Sequence, residues 1–152
     1  MKLRTWICMF SLGLLAGCAT PYQEGGFTGG VTANPLSASV YEIRAKGNAF
    51  VGAGRIKDYA LLKASEVCKS ASFTHFIPLN ENDTTQTGTI QNNTYNTTCY
   101  GYSCTTTGGG STSFSKPGTT MRIKLLGNND EIPATAFSCS VIYNSLAPRY
   151  IK

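Results

Sequence analysis

The sequence predicts an α+β domain: a small, mainly antiparallel sheet with two helices packed on one face, stapled by disulfides. Three observations carry that expectation. Residues 41–46 and 120–126 alternate apolar and polar side chains with period two, the pattern of half-buried strands. Residues 58–72 and 134–146 repeat small or apolar residues at spacings of three and four, the pattern of amphipathic helices. Cys68 and Cys139 fall on the apolar stripes of those two helices, one on each. Two helices and a few short strands bury their apolar sides most economically as one helical layer on one sheet.

The chain opens with a leader. Lys2 and Arg4 precede an apolar run from Trp6 to Ala16, and the run ends in Leu15-Ala16-Gly17-Cys18. Charge, run length and small residues before a cysteine are those of a secretory signal with a bacterial lipoprotein ending. Residues 1–17 are therefore expected to be removed and Cys18 to carry lipid, palmitate included. The apolar run is too short to span a bilayer, which takes about 20 residues. Several acyl chains anchor stably where one binds only marginally.

Taking 17 residues from 152 leaves 135, enough for one domain. Losing Lys2 and Arg4 leaves eleven basic against eight acidic residues, a net charge of +3. That balance is ordinary, and no nucleic-acid partner is expected.

Residues 18–39 hold Gly25-Gly26, Gly29-Gly30, Pro21 and Pro35 with few large apolar side chains, and read as a flexible tether. A tether of that length reaches roughly 25 Å. The single domain is expected over 40–152. Its first strand, 41–46, turns Tyr41, Ile43 and Ala45 one way and Glu42, Arg44 and Lys46 the other. The first helix follows, burying Ala60, Ala64, Val67, Cys68 and Ala71. Phe73 to Leu79 reads as a short strand with Pro78 at an edge or end. Residues 82–118, rich in Thr, Asn, Gly, Ser and Tyr, read as one irregular hairpin or long loop. In the strand at 120–126, Met121, Ile123 and Leu125 point inward, and Arg122 and Lys124 outward. The last helix, over 134–146, is expected to end before Pro148.

In an exported chain the four remaining cysteines are expected to oxidise. They allow three connectivities. Matched helical stripes favour Cys68–Cys139, and a short, turn-rich spacing favours Cys99–Cys104 at the tip of the hairpin. A four-cysteine zinc site is the competing arrangement, and neither metal nor cofactor is expected.

Val51-Gly52-Ala53-Gly54 stands where a dinucleotide loop would, but Lys57 occupies the place of its third glycine and no acidic ribose contact follows. His75 is the only histidine, no carboxylate cluster adjoins it, and there is no Gly-x-Ser-x-Gly elbow. The expected role is thus non-catalytic binding or scaffolding in the cell envelope. A subunit of a secretion or surface appendage complex, or an envelope hydrolase using His75 with Glu66 or Ser65, are the alternatives. If the two alternating strands share a sheet, Arg44, Lys46, Arg122 and Lys124 gather on its outer face. That face suits an anionic partner: lipopolysaccharide phosphates, peptidoglycan carboxylates or an acidic protein patch.

Several motifs stand together in the chain: Pro21-Tyr22-Gln23 with Gly25-Gly26-Phe27, Tyr41-x-Ile43 leading to Gly47-Asn48, and Asp58-Tyr59-Ala60-Leu61-Leu62-Lys63-Ala64-Ser65-Glu66. Thr74-His75-Phe76, Lys116-Pro117-Gly118 and Tyr143-Asn144-Ser145-Leu146 extend them over most of the chain. Together they resemble a family of small proteobacterial lipoproteins with a Gly-rich tether and a cysteine-containing α+β domain. The resemblance implies location and architecture, and supplies no catalytic residues. Ala19, rather than Asp, after the lipidated cysteine points to the outer membrane, with the periplasmic face favoured.

Overall fold

The computed structural model describes residues 20–151. The expected leader over residues 1–17 and the expected lipid site Cys18 lie outside the described residues. Among the described residues, seven strands and two helices run in the order β1 (Gly30–Pro35), β2 (Val40–Lys46), α1 (Ala53–Ser70), β3 (His75–Asp83), β4 (Gln86–Tyr100), β5 (Ser103–Lys116), β6 (Gly118–Leu126), β7 (Phe137–Ser138) and α2 (Cys139–Tyr150). Five form an antiparallel sheet in the order β1-β2-β6-β3-β7, and β4-β5 pair alone. The fold is α+β, as the patterning predicts.

Alternation explains the layering. Ile43 and Ala45 of β2 lie opposite Met121 and Thr119 of β6 and face α1, where all four are buried. Helix α1 answers with Ile56, Tyr59, Ala60, Ala64 and Cys68. Small residues at 60 and 64 let the helix axis approach the sheet closely. Helix α2 lies beside α1, where Leu146 and Ala147 enclose Leu62, and the Cys68–Cys139 bond joins the two helices. Pro78 sits on the stretch of β3 that β7 does not cover, next to a bulge between Pro78 and Asn80. A residue without an N–H is tolerated there.

Both helices differ from their sequence limits, for local reasons. Helix α1 begins at Ala53 because Gly52 serves as its N-cap and Ile56 is fully buried. Gly47 makes the close approach possible, since a Cβ there would lie 2.0 Å from Val51 and 2.8 Å from Ile56. Helix α2 begins only at Cys139, because Phe137 and Ser138 first pair with Phe76 and His75. It continues through Pro148 to Tyr150. A proline removes one helical hydrogen bond, and here the end of the helix is held by side chains instead. Tyr150 donates to Asp58 Oδ2 at 2.6 Å and meets the Tyr59 ring edge-on at 5.1 Å.

The expected flexible tether over 18–39 is corrected over the residues described. Thr20 is buried. Its hydroxyl donates to the Thr28 carbonyl at 2.9 Å and accepts from the Asn48 N–H at 3.0 Å. Its carbonyl accepts from the Tyr59 hydroxyl at 3.0 Å. Val31, in β1, is 1% exposed. Glycines that suggested a loose chain are there for geometry. Gly29 and Gly30 hold φ values of +106° and +130°, and a Cβ on Gly29 would meet the Lys46 carbonyl at 2.5 Å. Only glycine meets both demands without strain.

Three tyrosines tie this segment to both helices. Tyr22 packs edge-on to Tyr59 at 5.4 Å and donates to Glu66 Oε2 at 2.8 Å. Burial first, and then the hydrogen bond to Glu66, push the Tyr22 phenol well above its ordinary range. Burial also raises Tyr59, and burial with the Asp58 hydrogen bond raises Tyr150. Below pH 10 the phenols are protonated in both folded and unfolded chains, so this stabilisation is fully present. Above it the unfolded chain ionises first and stability falls with rising pH. Alkaline unfolding followed by circular dichroism is expected to steepen past about pH 10. Tyr22→Phe should flatten that slope. An unchanged slope would show that Tyr22 ionises as freely in the fold as outside it.

Candidate binding face

The side of the sheet opposite the helices carries the expected cations. Arg44 and Lys46 project from β2, and Arg122 and Lys124 from β6. The register sets Arg122 opposite Glu42, Thr120 opposite Arg44, and Val40 opposite Lys124. Residues two apart on a strand, and those directly opposite, share a face. The four cations thus form a diagonal stripe from Lys124 through Arg122 and Arg44 to Lys46. It spans six residue steps, about 20 Å.

Glu42 interrupts the stripe. Its side chain is 11% exposed and accepts from Arg44 Nη2 at 2.5 Å and from Arg122 Nε at 3.5 Å. Both arginine side chains keep about half their surface in solvent. The acid therefore holds two arginines on the face while both side chains remain half exposed. Lys46 and Lys124 enter no ion pair among the described residues. Asn34 lies opposite Glu42, Asn80 opposite Arg122 and Asn82 opposite Thr120. Amide donors and acceptors therefore flank the charges.

Lys46 is shared between two open grooves at the end of the stripe. One, of about 370 Å³, lies between Arg44, Lys46 and the Gly25–Gly30 turn. The other, of about 450 Å³, is bounded by Lys46, Lys116, Asn48, Gln86 and the exposed ring of Phe27. Sequence patterning missed the second groove, because Lys46 and Lys116 lie seventy positions apart and meet only when β2 and β6 pair.

The residues considered for hydrolysis are each engaged elsewhere. The His75 ring bonds Thr74 Oγ1 at 3.0 Å. The Ser65 hydroxyl donates to the Leu62 carbonyl at 2.7 Å within its own helix. Glu66 takes the Tyr22 hydroxyl and lies 3.6 Å from Lys63. Among the described residues, no group of three or more His, Cys, Asp or Glu side chains is placed to hold a metal, and no helix is long and apolar enough to cross a membrane. The four cysteines are paired as Cys68–Cys139 and Cys99–Cys104. No family model, curated protein or solved structure matches this chain.

Proposed function

We propose that this chain is an outer-membrane lipoprotein, anchored through lipid on Cys18 and facing the periplasm. Its role is to bind peptidoglycan through the cationic stripe, without catalysis. The observation that carries the reading is the stripe itself: four exposed cations opposed by one acid, with amides alongside and open grooves at one end. Arginine forks match carboxylates bidentately, and peptide stems of the wall offer carboxylates beside amides. A periplasmic anchor faces that polymer, whereas lipopolysaccharide lies in the opposite leaflet. The leader and the likeness to small proteobacterial lipoproteins support the location.

The folded segment tightens the picture. Thr20 is buried only two residues after Cys18, so a lipid on Cys18 is held within about 7 Å of the domain. The domain then rests on the membrane instead of ranging from it.

One experiment tests anchor and stripe together. Wild type, Cys18→Ser, and the quadruple variant Arg44→Gln, Lys46→Gln, Arg122→Gln, Lys124→Gln are fractionated in cells, and the purified chains are then sedimented with isolated sacculi. Cys18→Ser should leave the membrane fraction yet still pellet with sacculi. The quadruple variant should stay in the membrane fraction but lose most of its pelleting, and wild-type pelleting should weaken with salt, since exposed charges are screened over about 8 Å at physiological ionic strength. Membrane retention of Cys18→Ser refutes the anchor. Undiminished pelleting of a folded quadruple variant refutes the stripe.

A further inference from the structure

The β4–β5 ribbon is built unlike the rest of the protein. It continues the β3–β6 pairing out of the domain through the bond from Thr84 N–H to the Gly118 carbonyl. It then runs from Gln86 opposite Lys116 to Tyr100 opposite Ser103. Strands of 15 and 14 residues give it a length of about 45 Å. Apart from Gly88 and Phe114, every residue in the two strands is exposed. A two-stranded hairpin without a core is marginal in water.

Its internal features fix the register and leave the edges bare. The Cys99–Cys104 bond closes the tip. Thr97 and Thr106 hydroxyls bond across the strands at 2.8 Å. The Phe114 ring covers Gly88 so closely that a Cβ there would lie 2.5 Å from it, and Tyr95 covers Gly109 in the same way at 2.7 Å. Aromatic cover over a cross-strand glycine is a device for holding exposed sheet. Both outer edges have no strand neighbour among the described residues.

Exposed edges are normally guarded by charge, proline or shortness. From Thr84 to Ser115 this chain has no charged residue and no proline. One face of the ribbon is almost wholly small and polar, with Thr87, Thr89, Gln91, Thr98 and Tyr100 opposite Ser115, Ser113, Ser111, Thr105 and Ser103. Uncharged hydroxyl and amide side chains pair favourably with their own kind across strands, and nothing in them repels an identical ribbon. An acidic or basic partner would find no complementary charge.

We infer that the β4–β5 hairpin is a self-association element that pairs edge to edge with the same hairpin of a second copy of this chain. Size sets the geometry. Two-stranded ribbons in one continuous sheet repeat every 10 Å or so, while the domain at the root is about 30 Å across. Ribbons side by side in the same direction would crowd their domains together. Antiparallel pairing about a two-fold axis through one edge puts the domains at opposite ends. A third ribbon on the other edge would point the same way as the first at only about 20 Å, less than a domain's width, so the assembly stops at two copies. This goes beyond peptidoglycan binding and does not depend on it.

Sedimentation equilibrium of the oxidised Cys18→Ser chain and of the mature chain in detergent provides the test. Two variants accompany them: Thr89→Lys, Thr98→Lys, Thr107→Lys, Ser111→Lys, whose partners across the hairpin (Ser113, Thr105, Asn96 and Gln91) stay uncharged, and a chain with 86–116 replaced by Asn-Gly. The unmodified ribbon should give a concentration-dependent mass reaching two copies, with slowed amide exchange in β4 or β5 on dimerisation. The lysine variant should keep its Cys99–Cys104 bond and dissociate at least about tenfold more readily, from the like charges that two copies bring together. The excised chain should be monomeric, with the melting of its domain and its Cys68–Cys139 bond retained. A monomeric mass for the unmodified chain at every concentration overturns the proposal. So does a dimer that survives excision of the hairpin, or growth into polymers without limit.

Discussion

Replacing Cys68 and Cys139 together by alanine is expected to lower the unfolding free energy by about 4 kcal/mol. The bond closes a loop with a sequence separation of 71, and both residues are buried at the junction of α1, α2 and the sheet. A cross-link of that span removes much of the freedom of the unfolded chain. A domain of this kind has only some 5–15 kcal/mol to lose. Calorimetry should show the transition falling by more than 10 °C. The Cys99→Ala, Cys104→Ala pair is the control. Its bond spans a separation of 5 at the exposed end of a ribbon that adds nothing to the core, so domain melting should hardly move. Equal melting of the Cys68/Cys139 variant and wild type would show that packing alone holds α2 in place.

A chain beginning at Val40 is expected to lose more than a single large-to-small core substitution does, which is about 2–5 kcal/mol. Truncation removes the whole of β1, exposes the β2 edge, and uncovers Ile43 and Ala45 where Val31 and Ala33 adjoin them. It also strips Tyr59 of its hydrogen bond to Thr20 and its contact with Tyr22. Near-ultraviolet circular dichroism, which reports the packing of the tyrosines, should collapse at temperatures where the full mature chain is folded. A truncated chain with wild-type melting would return residues 20–39 to the status of a tether.

The stripe was legible in the sequence because period two needs no knowledge of partners. Arg44 and Lys46 share a face on any strand, as do Arg122 and Lys124. What joined them was the β2–β6 register, and that also set Glu42 between two arginines. The alternation alone places Glu42 on the same face as Arg44 and Lys46. Its two partners come from β2 and β6, and β1, which reads in the sequence as loose chain, adds Asn34 opposite it.

By itself the sequence determined the α+β class, the two alternating strands, the presence of both helices, and both disulfide pairings. The elements follow from local periodicity, and the pairings from one cysteine on each helical stripe and from a short, turn-rich spacing. Only the tertiary structure decided where the helices begin and end, and that residues from Thr20 onward belong to the domain. The reason lies in glycine and proline, whose local meaning is ambiguous. Gly29 and Gly30 suit a loose linker as readily as a left-handed turn pressed against the Lys46 carbonyl, and Pro148 suits a stop as readily as a last turn pinned by Tyr150 to Asp58. The choice between those readings is made by what packs against them, and the packing residues lie far away in the chain.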